Sequence, residues 1–179
     1  MKITLPDKSF RELPEGSSGY DLAKDIGPGL AKSAVAVTIN GIQKDLHDVI
    51  EGDVSASIIT IDSDEGIEIM RHTLTAQVLA RAVKNIYPNS KLAIGPTIED
   101  GFYYDVETEE AISIDDLKKI EDEMIKIVKT KSSITKKLVS KEEALKIFKS
   151  QKETYKESII DESEPVSYTH LTLPTKEEV

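Results

Sequence analysis

The chain carries three histidines and no cysteine, so Cys nucleophiles, disulfides and thiolate metal sites are excluded from the start. His72 follows Arg71 at the start of an apolar helical pattern, where an imidazole is either a solvated cap residue or a proton acceptor. Gln77 stands five positions on; an amide can place a water or donate a hydrogen bond, but it is no general base near neutral pH. Tyr104 closes the Phe-Tyr-Tyr run of LAIGPTIEDGFYYDV, a stretch that also holds Gly95-Pro96 and an acidic pair. Successive strand residues point to opposite faces, so at least one of Phe102, Tyr103 and Tyr104 is ordinary core. Lys156, in a lysine-rich helical stretch, reads by itself as surface charge. His47 and His170 suggest no partner ligands, and no metal is predicted.

The elements that must hold these residues come from a chain of 179 residues, enough for one large domain or two small ones. A formal charge of −10 argues against holding nucleic acid by net basicity. Lys118-Lys119, Lys129, Lys131 and Lys136-Lys137 interleave with acids and read as solvated faces rather than phosphate contacts. No apolar run approaches about 18 residues and no signal-peptide pattern opens the chain, which predicts a soluble, cytoplasmic protein with no membrane partner.

Residues 1–62 read as a compact mixed module. Lys2 to Leu5 and Phe10 to Leu13 are hairpin partners, and Tyr20 to Ile26 is a short helix stopped by Gly27-Pro28. Ala34 to Ile39 alternates and meets Asn40-Gly41, a strong hairpin signal; Ile42 to Leu46 pairs back and Val54 to Ile61 is a last strand. Hairpin, helix, hairpin, final strand is the order of a β-grasp sheet. Asp62 to Gly66 reads as a flexible polar join.

After it, residues 63–162 read as α+β, with helices on a mostly antiparallel sheet. Leu74, Val78, Leu79, Ala82, Val83 and Ile86 form a helical stripe over Thr73 to Tyr87, ended by Pro88. Leu92 to Ile98 and Gly101 to Val106 are strands around Glu99-Asp100-Gly101. Ser113 and Asp116 form a capping box ahead of Leu117, Ile120, Met124, Ile127 and Val128, a long amphipathic helix. Ile134 to Val139 is a strand, and Ser140 with Glu143 caps a helix holding Leu145 and Phe148. Residues 163–179, SEPVSYTHLTLPTKEEV, lack periodicity and read as a disordered end or as foreign to the natural reading frame.

Two stretches carry a resemblance. ITLPDKS, DIGPGLAKSAVAVTINGI and SIITIDSDEGIEIMRH resemble the TGS domain that opens bacterial threonyl-tRNA synthetases. Met70 through RAVKNIYPNSKLAIGPTIEDGFYYDV to ETYKESIIDE resembles the editing domain that follows it, with GPTIEDGFYYD the most specific block. The likeness spans Met1 to Glu162 and implies an N-terminal fragment of a threonine–tRNA ligase. ATP, magnesium and zinc would belong to its aminoacylation domain, not to this fragment; the partner would be the acceptor arm of threonine tRNA, and the parent a homodimer. The family's editing domain hydrolyses serine mischarged onto that tRNA.

The family's signature pairs two His separated by three residues with a later Cys-x-x-x-His. His72 is retained, but Ala76 lies four positions on, and Gln77 falls where the second His is reached by counting back from Pro88. In a helix already formed at His72, five residues would turn Gln77 about 140° away; an extra residue before the helix removes that objection. The Cys-x-x-x-His half is absent. Tyr104 and Lys156 carry over as pocket-lining residues. The resemblance thus implies weak ligand binding without turnover by this chain. The competing readings are a noncatalytic RNA- or tRNA-binding module and a stand-alone trans-editing hydrolase.

Overall fold

The structure, a computed structural model, describes residues 1–132, 134–162 and 168–172, with 135, 136 and 168–172 as backbone only. It is α+β and divides into two compact units, Met1–Met70 and Arg71–Val179.

In the first unit, β1 (Lys2–Thr4), β2 (Phe10–Glu12), β3 (Ala34–Ile39), β4 (Ile42–Asp45) and β5 (Val54–Thr60) form one sheet in the order β2-β1-β5-β3-β4. Ile3 pairs in parallel with Val54, while every other neighbouring pair is antiparallel. This is the β-grasp order. Asn40-Gly41, at φ 50° and 81°, makes the tight turn joining β3 to β4.

Helix α1 (Gly19–Ile26) begins where the Asp21 carboxylate accepts from the Ser18 N–H at 3.0 Å and from its hydroxyl at 2.7 Å. Those bonds hold the Asp21 carboxyl below its ordinary value. The Gly27 N–H returns to Ala23 and ends the helix, as expected. Pro28 then opens an unexpected second helix, α2 (Pro28–Ser33), because a first-turn residue has no intrahelical N–H bond to lose. The core is Ile3, Leu22, Val37, Ile39, Ile50 and Ala56. Full burial of a side chain such as Leu22 contributes about 1.5–3 kcal/mol.

The anticipated flexible join, Asp62 to Gly66, is helical from Asp64 onward. Asp64 and Glu65 suit the positive N-terminus of α3 (Asp64–Thr73), and the Ser63 hydroxyl accepts from the Gly66 N–H at 3.1 Å. Helical structure then continues through a π-helical segment, Leu74–Leu79, into α4 (Ala80–Ile86). His72, expected at a helix start, therefore lies in the last turn of a formed helix.

In the second unit the two long strands anticipated around Glu99 are four short ones. These are β6 (Lys91–Leu92), β7 (Thr97–Ile98), β8 (Gly101–Phe102) and β9 (Val106–Glu107). Leu92 pairs with Val106 and Thr97 with Phe102, so one hairpin is interrupted in its middle. Pro96 has no N–H to donate, and Gly95 has no side chain to anchor a strand face, which explains the gap.

Helix α5 (Ile114–Lys129) starts at the anticipated cap, where the Asp116 carboxylate accepts from Ser113 N–H at 3.0 Å. Ile120, Met124 and Ile127 pack with Val83 and Leu92, whereas Leu117 and Val128, expected in the same stripe, are exposed.

Then follow β10 (Thr135–Val139), α6 (Lys141–Ser150) and α7 (Thr154–Glu162), with Val139, Ala144 and Ile160 as a separate small core. The pairings in this unit form separate two-stranded antiparallel ladders among the described residues, not one continuous sheet. At five positions of the tail the chain is not without regular structure. Tyr168–Thr172 is β11, paired antiparallel with β10 from Tyr168 opposite Val139 to Thr172 opposite Thr135. Tyr and two Thr among five residues suit an extended backbone that completes β10's hydrogen bonds. The expectations for 163–167 and 173–179 lie outside the described residues. No helix among the described residues is long and apolar enough to cross a membrane.

Candidate functional site

The second unit gathers its polar side chains where α4, the hairpin and the start of α7 meet. Helix α6 ends in a Schellman turn: Lys152 N–H bonds Lys149 O at 3.1 Å and Glu153 N–H bonds Phe148 O at 3.0 Å. That turn needs a left-handed residue, and Lys152 supplies it at φ 58°. The chain is thereby redirected so that Glu153 enters the interior, 3% exposed.

A buried carboxylate must be matched by donors. The Lys84 ammonium, from α4, lies 2.5 Å from Oε1 of Glu153, and the Leu92 N–H donates to Oε2 at 3.2 Å. Lys84 also donates to the Ser90 carbonyl. On the outer side, the Tyr155 hydroxyl and the Lys91 ammonium both bond the Glu107 carboxylate, which latches α7 to the hairpin a second time.

Two of the four residues singled out in the sequence lie within electrostatic reach of Glu153. Tyr104 is half-buried; burial, then the nearby Glu153 charge, pushes its phenol above the ordinary value. Lys156 is also half-buried, one turn along α7, with its ammonium 5.4 Å from the Phe148 ring centre. Burial holds that ammonium below the ordinary lysine value, Glu153 pulls it back up, and Lys84 pushes it down. Lys156 is therefore not the surface charge that its neighbours in sequence suggest.

The aromatic run divides as alternation requires: Tyr103 is 52% exposed, whereas Phe102 and Tyr104 are half-buried. Gly95 explains the position of Tyr104. A β-carbon there would lie 2.4 Å from Cδ2 of Tyr104 and 2.8 Å from Cγ2 of Thr75, so only glycine lets the ring and the fully buried Thr75 close over the hairpin.

Thr75 also ties this wall to the helix carrying His72 and Gln77. Its hydroxyl donates to the Arg71 carbonyl at 2.7 Å, a back-bond that competes with the regular ladder and bends helices. The Ala80 N–H reaches Thr75 O, five residues back, which is the π-helical bond. A π turn houses one additional residue. The five-residue step from His72 to Gln77 across it therefore approximates one turn and returns Gln77 towards the His72 face. The expected objection, a 140° separation, holds only for a regular helix, and the extra residue is housed within the helix rather than before it. His72 itself is exposed and Gln77 half-buried. Among the described residues, no hydrogen bond or ion pair joins His72 to the Glu153 cluster.

Sequence reasoning missed Glu153, Lys84 and Thr75. Glu153 and Lys84 lie far apart in the chain amid many similar charges, and no spacing rule links them. Only Gly95-Pro96 pointed at the wall they share.

The first unit has a separate open cleft of about 350 Å³ on β3, β4, β5 and the start of α3, lined among others by Thr38, Gln43, Ser57, Ser63 and Glu65. Its lining contains no Lys, Arg or His, so it offers no cationic grip on phosphate.

Residues 1–60 match the family model of the TGS domain. A TGS domain therefore forms the β-grasp unit, a module found in threonyl-tRNA synthetases, GTPases and other proteins and pointing to nucleotide or RNA binding in translation.

Proposed function

We propose that this chain is the N-terminal region of a threonyl-tRNA synthetase, a TGS domain followed by part of an editing domain. Its second unit would receive the aminoacylated end of the tRNA acceptor arm, in the cytoplasm. Aminoacylation, with its ATP, magnesium and zinc, would belong to a separate domain through which the parent dimerises. The observation that supports this reading is a TGS domain followed by a unit in which Tyr104, packed over Gly95, and Lys156 are both half-buried within electrostatic reach of the buried Glu153 carboxylate.

The chemistry follows from a small difference. Serine lacks one methyl of threonine, and a group of that size is worth only about 1–3 kcal/mol in a binding pocket. A hydrolytic second site adds the missing discrimination. Cleaving an aminoacyl ester needs a placed water and donors aimed at the developing oxyanion. The Tyr104 hydroxyl and the Lys156 ammonium are such donors. Gln77 can orient a water but cannot take its proton, which leaves His72 as the one candidate base among the four. We therefore expect binding with little turnover.

The test is to titrate the chain with a non-hydrolysable 3′-seryl-adenosine analogue by NMR and to incubate it with seryl-tRNA made on threonine tRNA. The expected result is shifts at Tyr104 and Lys156, weakened binding in Lys156→Ala, and deacylation close to the buffer rate. Absence of shifts at both residues overturns the pocket, and RNA binding confined to residues 1–60 would favour a noncatalytic RNA-binding module. A strong deacylation rate lost in His72→Ala would make the chain a trans-editing hydrolase instead.

A further inference from the structure

Two ammonium groups face one carboxylate in the second unit, and they are not equivalent. Lys84 Nζ sits 2.5 Å from Glu153 Oε1 and is held there by a second bond to the Ser90 carbonyl. The other carboxylate oxygen takes the Leu92 N–H at 3.2 Å. Both oxygens of a group that is 3% exposed are thus occupied by the hairpin and α4. Lys156 lies in the first turn of α7, three residues beyond Glu153, which immediately precedes that helix, and makes no ion pair within 4.0 Å among the described residues. Its neighbour is instead the Phe148 ring, at 5.4 Å. A quadrupole face is a weak partner for a half-buried cation compared with a carboxylate.

We infer that Glu153 and Lys84 are positioning residues: Lys84 saturates the buried carboxylate so that Lys156, half-buried beside the Phe148 ring, stays an unmatched ammonium, available to an incoming anionic or electron-rich group. The inference concerns the charge balance of the cluster and stands whether or not an ester is the ligand. The charges and rings around Lys156 come from several elements. Glu153 comes from the start of α7, Lys84 from α4, and α6 presents Phe148. From β6, Lys91 is held by Glu107 at 2.6 Å.

The arrangement makes a prediction that a purely structural ion pair does not. Lys84→Met and Glu153→Gln break the same contact, yet they change the charge felt by Lys156 in opposite directions. Removing Lys84 deletes a repelling cation and frees Glu153 for Lys156, so the Lys156 ammonium is stabilised and its titration moves up. Removing the Glu153 charge leaves Lys84 uncompensated beside it, so the titration moves down.

Competitive acetylation with acetic anhydride across pH, read by mass spectrometry of the Lys156 peptide in the full chain, measures this directly. At fixed pH near 8, Lys156 should react severalfold more slowly in Lys84→Met and severalfold faster in Glu153→Gln than in the unaltered chain. Lys84→Arg, which keeps the charge, should stay close to the unaltered chain and serves as the conservative control for folding. Shifts of the same sign in the first two variants, no shift in either, or a Lys84→Arg effect as large as that of Lys84→Met would overturn the inference.

Discussion

The two units bury different things. In the first, the fully buried large side chains are Ile3, Leu22, Ile50 and Val37, and none of the buried polar residues of the described chain lies there. In the second, Thr75, Ser90 and Glu153 are all buried, while Ile114, Leu117, Val128 and Leu138 remain more than half exposed. One sheet with a single apolar core satisfies its backbone in its own ladder. A set of short ladders must satisfy buried polar groups one side chain at a time. The buried polar residues of the described chain are therefore concentrated in the second unit, where each depends on an individual side-chain contact.

Removing apolar volume should separate them most sharply. Leu22→Ala empties the centre of the first core and should cost that unit about 2–5 kcal/mol. Amide exchange in the full chain should show Val37 losing protection while Val83, in the second unit, keeps it. Equal losses at both positions would mean that the units do not behave as separate cooperative bodies.

The next effect belongs to the other unit. Gly95→Ala puts a β-carbon 2.4 Å from the Tyr104 ring and 2.8 Å from the buried Thr75 methyl. Thr75 cannot retreat, so the ring must swing out, with an expected overpacking cost of about 1–3 kcal/mol. Exchange should accelerate at Asp105, whose N–H bonds Ile94 O at 2.9 Å, and leave Val37 untouched.

A smaller change runs the other way. Lys152 occupies the left-handed position of the Schellman turn, where a side chain costs about 1 kcal/mol. Lys152→Gly should stabilise the second unit by up to that amount in urea denaturation without moving the first. A destabilised second unit would show that the lysine side chain makes a contact outweighing its backbone strain.

The same contrast explains what could be read in advance. Alternation in Ala34 to Ile39, the Asn40-Gly41 turn and the Gly27-Pro28 stop are local signals, and the β-grasp order follows from them because each strand pairs within one sheet. Pro28 as a helix start was missed because one residue can both end a helix and begin another. The second unit depends on long-range polar contacts. Glu153 meets Leu92 across 61 positions, and nothing near either residue announces the other. The turn that aims Glu153 inward has a lysine where glycine is the usual signal, so the break between α6 and α7 was hidden too. Tyr104 and Lys156 were reached only through family resemblance, since a tyrosine in an aromatic run and a lysine among lysines carry no spacing of their own.

The last prediction concerns helical register and should leave stability nearly unchanged. In a regular helix, residues four apart share a face, and a His pair at that spacing can bind zinc. By that rule Ala76, not Gln77, would face His72. The π-helical segment Leu74–Leu79 overlaps the step from His72 to Gln77 and widens the turn there, which shifts the shared face towards Gln77. Gln77→His should therefore create a two-His zinc site with His72, whereas Ala76→His should not, the affinities differing by about tenfold or more, or ~1.4 kcal/mol. Zinc titration followed by the His72 ring resonances distinguishes the two, because only a His sharing its face draws the metal to that ring. Tighter binding by Ala76→His would mean that the helix is regular in solution and that Gln77 points away from His72.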